Sequence, residues 1–261
     1  MRRAFDRLAT PVNNPWIYAL IYRYLAPGDI ATMNWGFGPA DPALEHLHPV
    51  PGQALQLQLY WETFAQCDGA LRPDQVVCEV SSGRGGGLAF VDRLTAARVI
   101  GLERDRSARG YARRRFGLEV SRTVCPEIAL PDQSVDVFLS VEAVHNYRTN
   151  TFFAELHRCL KPGGQVLMSD FKIGREAAVR ADMTRFLADN GLTLEAWANI
   201  SGNVVQSLDQ DAVRHQRQLR RLPRFLRPRA EGDVAAVGSY PYEELVSGAR
   251  TYFRLRARRV G

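Results

Sequence analysis

Several features that indicate a membrane, secreted or metal-binding protein are missing from this sequence of 261 residues. No run of about 18 apolar residues occurs, so we expect no transmembrane helix and no integral membrane contact. The N-terminus lacks the continuous apolar segment of a signal peptide. The four cysteines form no C-x-x-C pair, which predicts reduced thiols in a cytoplasmic protein rather than a disulfide framework or a zinc site.

Lysine is also nearly absent, since only two of the 34 basic residues are lysines and the other 32 are arginines. The formal net charge is +6. A basic balance is typical of proteins with a polyanionic partner, but arginine-rich composition is equally typical of a GC-rich genome. Acidic residues are plentiful and no basic block with interleaved aromatic residues occurs, so we expect no nucleic-acid partner.

Aromatic residues crowd the first 70 residues and distinguish them from the rest of the chain. Apolar residues at helical spacing predict an amphipathic helix over 15–25, and a second helix is predicted over 53–66. We interpret 1–70 as an N-terminal helical lid and acceptor-pocket segment, and 71–261 as the core domain. The candidate pocket residues, for each of which core packing is the alternative, are Tyr22, Tyr24, Trp35, Phe37 and Tyr147.

Strand and helix patterns alternate from residue 75 onward. Strands that alternate with helices predict an α/β fold with a Rossmann-like, doubly wound, mostly parallel seven-stranded sheet. The last of the seven is predicted to be a final edge strand. The seven predicted strands cover 75–80, 98–103, 118–124, 134–140, 165–170, 192–200 and 251–259.

Residues 204–229 interrupt this alternation and carry seven arginines. The pattern predicts a helical insertion that breaks at Pro223, because proline cannot continue a helix. A solvated helix face is one interpretation of the arginines, and a docking surface for an acidic carrier protein is the other. The sequence pattern is compatible with both a monomer and a homo-oligomer.

A glycine-rich loop lies where the first predicted strand turns into the first helix, with the sequence E-V-S-S-G-R-G-G-G from Glu79. Residues without side chains let a ligand approach the backbone, and the helix N-terminus favours a negative group. Glu103 ends the next strand, where a carboxylate can accept hydrogen bonds from both ribose hydroxyls of an adenosine. The combination predicts a nucleoside cofactor at the switch point of the sheet.

The spacing of this loop resembles the acid-x-Gly-x-Gly-x-Gly string of class I S-adenosylmethionine-dependent methyltransferases, with Ser81 in place of the first glycine. Residues 160–167 resemble the L-x-P-G-G string of the same family. More narrowly, Asn34-Trp35, the glycine loop and 141–147 resemble the phthiotriolone/phenolphthiocerol-type methyltransferases, and the E-A-x-H piece is similar to a motif of sterol C-methyltransferases. The resemblance implies S-adenosyl-L-methionine as the cofactor.

The resemblance also implies which residues hold the cofactor. The family often has an acidic residue after the third strand, facing the adenine amino group, and this sequence has Val124 and Cys125 in that region. The candidate cofactor-binding residues are Glu79, Ser81, Gly83, Gly85, Glu103, Arg104, Val124, Cys125 and Ser140.

His145 is the best-placed candidate catalytic residue, because it follows the fourth predicted strand at the carboxyl edge of the sheet. A histidine with a pKa near 6.5 can accept the proton of a phenol or an alcohol. Acceptor positioning and a structural role are the alternatives. Glu142 is expected to orient His145 or to contact the ammonium group of the cofactor. Asp170 and Lys172 lie at the same edge and are expected to pair with each other.

The sequence thus predicts methyl transfer to a small aromatic or polyketide-like secondary metabolite, with O-methylation favoured. A dry apolar pocket suits this reaction, because the charge of the sulfonium is dispersed in the transition state. C-methylation or N-methylation of a natural-product scaffold is the alternative. An RNA methyltransferase, a non-catalytic protein of the same fold and an NAD oxidoreductase are more distant alternatives.

Overall fold

The computed structural model describes residues 30–123, 127–146 and 149–260. Within these ranges one sheet of seven strands has the order β3-β2-β1-β4-β5-β7-β6. Neighbouring strands from β3 to β5 are parallel, whereas β7 is antiparallel to both β5 and β6. This confirms the Rossmann-like, mostly parallel sheet. The strands are β1 (Val76–Val80), β2 (Arg98–Glu103), β3 (Glu119–Arg122), β4 (Val135–Val141), β5 (Leu160–Ile173), β6 (Leu192–Asn199) and β7 (Arg250–Arg259).

Helices cover both faces of the sheet, as a doubly wound fold requires. Asp105 caps the third of them by accepting a hydrogen bond from the backbone N–H of Ala108, and Gly117 ends it in the left-handed conformation. The predicted helix over 15–25 lies outside the described residues. The described helices are α1 (Ala54–Phe64), α2 (Gly86–Asp92), α3 (Arg106–Phe116), α4 (Thr149–Cys159), α5 (Glu176–Ala188), α6 (Ser201–Arg221), α7 (Arg227–Asp233) and α8 (Tyr240–Val246).

The strand order places a switch point between β1 and β4. From β1 the chain proceeds outward through β2 to β3, and it then returns to the other side of β1 as β4. The loops that follow β1 and β4 therefore leave the sheet on opposite sides of one crevice, at the carboxyl ends of the strands. This is the place where open α/β sheets bind ligands.

The two faces of the sheet bury separate cores. Val77 of β1 packs into one core with side chains of α1, α2 and α6, while its neighbour Cys78 packs into the other with side chains of α4 and α5. A parallel strand that is covered on both faces reads as an unbroken apolar run. This is why β1 and β4 were recognisable in the sequence.

The expectation of a final edge strand over 251–259 is wrong. β7 lies between β5 and β6 and has hydrogen-bonded neighbours on both sides. Its residues Tyr252 and Phe253 point to opposite faces and are each at most 1% exposed, one in each core. The edge strand at this end of the sheet is β6, most of whose residues are half-buried or exposed. An alternation of large residues indicates a strand but does not indicate its place in the sheet.

The arginine-rich segment is helical, and the helix is interrupted at Pro223 as predicted. α6 ends at Arg221, Pro223 precedes a single 3-10 turn over Arg224–Leu226, and α7 follows. The short α8 and a 3-10 turn over Pro42–Leu47 were not predicted. In the described part of the chain, no helix has the length and apolar character needed to cross a membrane.

Candidate active site

The glycine-rich loop after β1 has the backbone conformation that its sequence predicts. Gly83 and Gly85 have φ angles of 54° and 78°, in the left-handed region that favours glycine. Ser81, which stands in place of the family's first glycine, has a φ of 57°. The serine thus adopts a glycine-like conformation at some cost in strain, and such outliers cluster at functional sites.

The last two glycines of the run serve packing within the protein. A Cβ atom on Gly87 would lie 1.8 Å from the Tyr60 ring, and a Cβ atom on Gly86 would lie 2.7 Å from Ala31. Both separations are far below van der Waals contact. Gly86 and Gly87 therefore allow α2 to pack closely against α1 and the segment before it.

Glu79 is a buried acid beneath this loop, only 1% exposed. Its Oε1 accepts a hydrogen bond of 2.6 Å from the Tyr60 hydroxyl. Its Oε2 is buried and has no hydrogen-bond partner among the described residues. Burial raises the pKa of Glu79 to about 8, against the lowering effect of the Tyr60 hydrogen bond.

Glu103 ends β2 and holds the glycine loop from the other side. Its two carboxylate oxygens accept hydrogen bonds from the backbone N–H of Gly83 at 2.9 Å and of Asp105 at 2.8 Å. Burial raises the pKa of Glu103, and these two hydrogen bonds oppose the rise. Each oxygen keeps acceptor capacity for one further donor. Arg104 is half-buried, and its backbone carbonyl accepts a hydrogen bond from Arg109.

Glu142 follows β4, directly across the crevice from the glycine loop. It has a φ of 50°, the second non-glycine residue at this edge in the left-handed region. Its Oε1 accepts hydrogen bonds of 2.7 Å from both the backbone N–H of Trp35 and the hydroxyl of Tyr252. Burial raises the pKa of Glu142 to about 7 although these donors oppose it. Glu142 thus anchors the Trp35 segment.

His145 and Asp170 form a dyad at the carboxyl ends of β4 and β5. Nδ1 of His145 lies 2.7 Å from Oδ1 of Asp170, and the other oxygen of Asp170 accepts hydrogen bonds from the backbone N–H groups of Val144 and His145. The Asp170 side chain is 2% exposed and that of His145 is 26% exposed. Burial lowers the pKa of His145, but Asp170 and Glu142 outweigh it, so the net direction is upward. The geometry is that of a histidine oriented by a buried carboxylate.

A stack of aromatic rings supports the histidine. The Phe171 ring is stacked between His145, at 4.3 Å between ring centroids, and Trp35, at 4.2 Å. Tyr252 packs against both Phe171 and Trp35. The guanidinium of Arg250 lies 4.9 Å from the centre of the Phe171 ring. These contacts fix the imidazole ring in a wall of apolar groups.

The structure brings together some of the predicted site residues and not others. Ser140 is fully buried on β4, and its hydroxyl has no hydrogen-bond partner in the described ranges. Trp35 joins the aromatic stack, whereas Phe37 donates its backbone N–H to Leu55 of α1 and packs against the core. Tyr22, Tyr24, Val124, Cys125 and Tyr147 lie outside the described residues.

One expected ion pair is wrong, and some residues of the site were missed. Asp170 and Lys172 do not pair: the Asp170 carboxylate is held by His145, and Lys172 forms its ion pair with Asp182 at 2.8 Å. Tyr60, Tyr252 and Arg250 were not singled out. Tyr252 reaches the site because β7 pairs with β5 in a register that puts it beside Phe171, and no local pattern reveals that pairing.

Comparison with known proteins identifies the family. Residues 78–168 match a family model described as a methyltransferase domain. The phthiotriol/phenolphthiotriol dimycocerosates methyltransferase of Mycobacterium tuberculosis is 32% identical over 248 residues, which cover 90% of this chain and 87% of that protein. A fatty-acid O-methyltransferase of Mycolicibacterium smegmatis is 30% identical over 202 residues, 74% of this chain and 72% of that protein.

Solved structures show the same fold at lower sequence identity. Geranyl diphosphate C-methyltransferase from Streptomyces coelicolor, in complex with S-adenosyl-L-homocysteine, is 16% identical with a TM-score of 0.67, over 95% of this chain and 99% of that one. The [4+2]-cyclase SpnF is 17% identical with a TM-score of 0.71, over 94% and 96%. Because a cyclase shares the fold, the sequence relatives decide the family. The chain belongs to the S-adenosylmethionine-dependent methyltransferases that include the phthiotriol/phenolphthiotriol dimycocerosates enzymes.

Proposed function

We propose that this methyltransferase methylates a hydroxyl oxygen of an apolar, lipid-like or polyketide-like acceptor, with His145 as the general base. The observation that carries the proposal is the dyad, in which Nδ1 of His145 lies 2.7 Å from the buried Asp170 carboxylate at the carboxyl end of β4. The names of the relatives support an apolar acceptor, since one acts on phthiotriol dimycocerosates and another on fatty acids.

The residues around the glycine loop fit S-adenosyl-L-methionine. Glu79 Oε2 is a buried acceptor with no partner among the described residues, which suits the ammonium group of the cofactor. Glu103 has remaining acceptor capacity for the two ribose hydroxyls. The left-handed backbone at Ser81, Gly83 and Gly85 makes the tight turn of a glycine-rich, cofactor-binding loop. When bound, the cofactor supplies an activated methyl group.

The dyad supports a role for one atom of His145 in the proposed proton transfer. Asp170 accepts from Nδ1–H of His145, a tautomer that we assign from this hydrogen bond, and Nε2 is then the basic nitrogen. Nε2 takes the proton of the acceptor hydroxyl, and Asp170 stabilises the imidazolium that results. A carboxylate acceptor has no proton to lose at neutral pH. The presence of an oriented base therefore favours a phenol or an alcohol over a fatty acid.

The aromatic stack supplies the remaining condition, which is the exclusion of water. Trp35 is 5% exposed and Tyr252 is fully buried, and with Phe171 they form an apolar wall behind His145. In an apolar site the sulfonium and the acceptor oxygen lose the hydration that would stabilise them before transfer. Positioning in such a site accounts for much of the rate enhancement of a bimolecular transfer.

The product identifies the methylated atom. The test incubates the full chain and S-adenosyl-L-methionine with two probes, nonylphenol and lauric acid, and follows S-adenosylhomocysteine release and the carbon NMR spectrum of the product. We expect a methyl ether from nonylphenol at a higher rate than the methyl ester from lauric acid. A methyl group on carbon would replace the proposal with C-methylation, for which the same dyad would serve as base. Faster turnover of lauric acid would contradict a hydroxyl acceptor.

A further inference from the structure

Exposed arginines lie at the end of α6 and in the turn after it. Arg217 and Arg220 are three residues apart on α6, which places them on one side of the helix, and Arg224 begins the 3-10 turn after Pro223. Val213 lies on α6 four residues before Arg217 and is 61% exposed. Phe225 follows Arg224 and is 77% exposed, more than any other large apolar residue in the described ranges. We call these five residues the arginine face.

The charge of this face is not neutralised within the described part of the chain. Several other arginines of the segment have acidic partners, as Arg214 has in Asp211 and Arg229 has in Asp233. Arg217, Arg220 and Arg224 form no ion pair with any residue in the described ranges. The opposite face of α6 is buried against the core through Val204, Leu208 and Leu219. The helix is therefore amphipathic, with its cationic face turned outward.

The same segment reaches the candidate active site. The carbonyl of Asp233, the last residue of α7, accepts a hydrogen bond of 2.9 Å from the indole N–H of Trp35. Trp35 in turn stacks on Phe171 and, through it, on His145. Asp233 follows Phe225 by only eight positions. The chain that follows the arginine face thus contacts the wall of the site at Trp35.

We infer that the arginine face docks the protein on the surface of an anionic lipid bilayer, with Phe225 inserted among the acyl chains. Clustered cations are attracted to the anionic headgroups of a bilayer, and an exposed aromatic residue beside them adds an apolar contact. The exposed Phe225 beside these cations favours a bilayer, because an aromatic side chain can insert at the boundary of headgroups and acyl chains. The consequence for catalysis, that a lipid-like acceptor enters from the bilayer beside Trp35, rests on the proposed function.

The docking itself is tested without any reaction. The full chain is sedimented with vesicles of phosphatidylcholine alone or mixed with phosphatidylglycerol. We expect binding to the anionic vesicles only, and weaker binding at higher salt. The triple variant R217Q/R220Q/R224Q should bind about 100-fold more weakly, at roughly fivefold per arginine. Phe225→Ser should weaken the binding that survives at high salt.

The matched control removes the same charge elsewhere. Arg106, Arg114 and Arg122 are exposed residues of α3 and β3, and R106Q/R114Q/R122Q has the same net charge as the test variant. We expect the control to bind nearly as well as the wild type. Equal losses in both triple variants would overturn the inference, because binding would then depend on net charge alone. Binding to an acidic acyl carrier protein with no binding to anionic vesicles would overturn it in favour of a protein partner.

Turnover separates this inference from the proposed function. The arginine-face variant should methylate detergent-dispersed nonylphenol at the wild-type rate and vesicle-embedded nonylphenol at a reduced rate. If the wild type methylates neither form but sediments with anionic vesicles, the proposed acceptor is wrong and the docking surface stands. If the wild type methylates the dispersed probe but does not bind the vesicles, the docking surface is wrong and the proposed function stands.

Discussion

The two sides of the crevice are built in different ways. The side of β1 and β2 draws its residues from one strand–helix–strand unit, in which Glu79, the glycine loop and Glu103 lie within 25 residues. The side of β4, β5 and β7 combines His145 and Asp170, which are 25 positions apart, with Trp35 and Tyr252 from two distant parts of the chain. The first side depends on local backbone conformation, and the second depends on strand order and register.

Each side also contains one strained residue. Ser81 follows β1 and Glu142 follows β4, and both are non-glycine residues in the left-handed region. Neighbouring strands thus end in the same unfavourable conformation, one on each side of the crevice. Strain of this kind persists only where the surrounding structure holds it. The comparison predicts that substitutions on the side of β4, β5 and β7 affect the chemistry of the acceptor. Substitutions on the side of β1 and β2 should affect cofactor binding and stability.

The largest expected effect lies on the acceptor side. His145→Ala should lower kcat for nonylphenol by about 10²- to 10⁴-fold, because the general base is lost. The affinity for S-adenosylhomocysteine, measured by calorimetry, should change little, since no cofactor-side residue is altered. The rate of lauric acid methylation should decrease much less than that of nonylphenol, because a carboxylate needs no base.

The control for this variant is His46→Ala, which changes an exposed histidine on the 3-10 turn over Pro42–Leu47. We expect wild-type turnover of both probes. Full activity of His145→Ala with nonylphenol would remove His145 from the mechanism. A large loss of cofactor affinity in that variant would contradict the separation of the two sides.

A second effect concerns the pH dependence of stability on the cofactor side. Between its ordinary pKa of 4.5 and the folded-state pKa of about 8, Glu79 is protonated in the folded state and ionised in the unfolded state. Unfolding then releases a proton, so the free energy of unfolding of the cofactor-free protein falls as pH rises through this window and levels off above it. The contribution is on the order of 5 kcal/mol.

Glu79→Gln should remove the part of the decrease in unfolding free energy that comes from Glu79. Urea denaturation at a series of pH values measures this decrease. A smaller fall should remain, because Glu142 has a pKa raised to about 7 and acts in the same direction. Glu119→Gln, at an exposed position of β3, should keep the wild-type profile. Identical profiles for Glu79→Gln and the wild type would show that Glu79 is ionised in the folded protein.

The smallest of the three effects concerns cofactor affinity. Glu103→Ala should weaken binding of S-adenosylhomocysteine by about 1–3 kcal/mol, since hydrogen bonds to a charged acceptor are lost. The variant also frees the backbone N–H of Gly83, which loosens the loop. Glu119→Ala is the matched control and should bind like the wild type. Unchanged affinity in Glu103→Ala would place the cofactor elsewhere.

Much of the fold and about half of the candidate site could be predicted from the sequence. The strands of the parallel part are short apolar runs bounded by turn residues, which explains why β1, β2 and β4 were found within a residue or two. β7 was found as a strand but misplaced at the edge, because strand order is a property of the whole sheet. The boundary between domains near residue 70 stays a prediction, although Tyr60 of α1 bonds Glu79 of β1.

The roles of the glycines in the loop could also be predicted only in part. Its first glycines were assigned to cofactor binding and have the expected left-handed backbone. Gly86 and Gly87 instead give room to Ala31 and Tyr60, which the sequence places at least 26 residues away. A glycine needed for a turn and a glycine needed for close packing look alike until the neighbour is known.

The amino-acid sequence alone determined the βαβ order, the turn after β1, the acid at the end of β2 and the family, because each is encoded in contiguous residues whose backbone preferences are local. Only the tertiary structure decided that Asp170 lies against His145, that Glu142 anchors Trp35, and that Asp233 at the end of α7 contacts Trp35. These contacts join residues 25 to 198 positions apart, and their geometry comes from sheet register and helix packing, which no local pattern records.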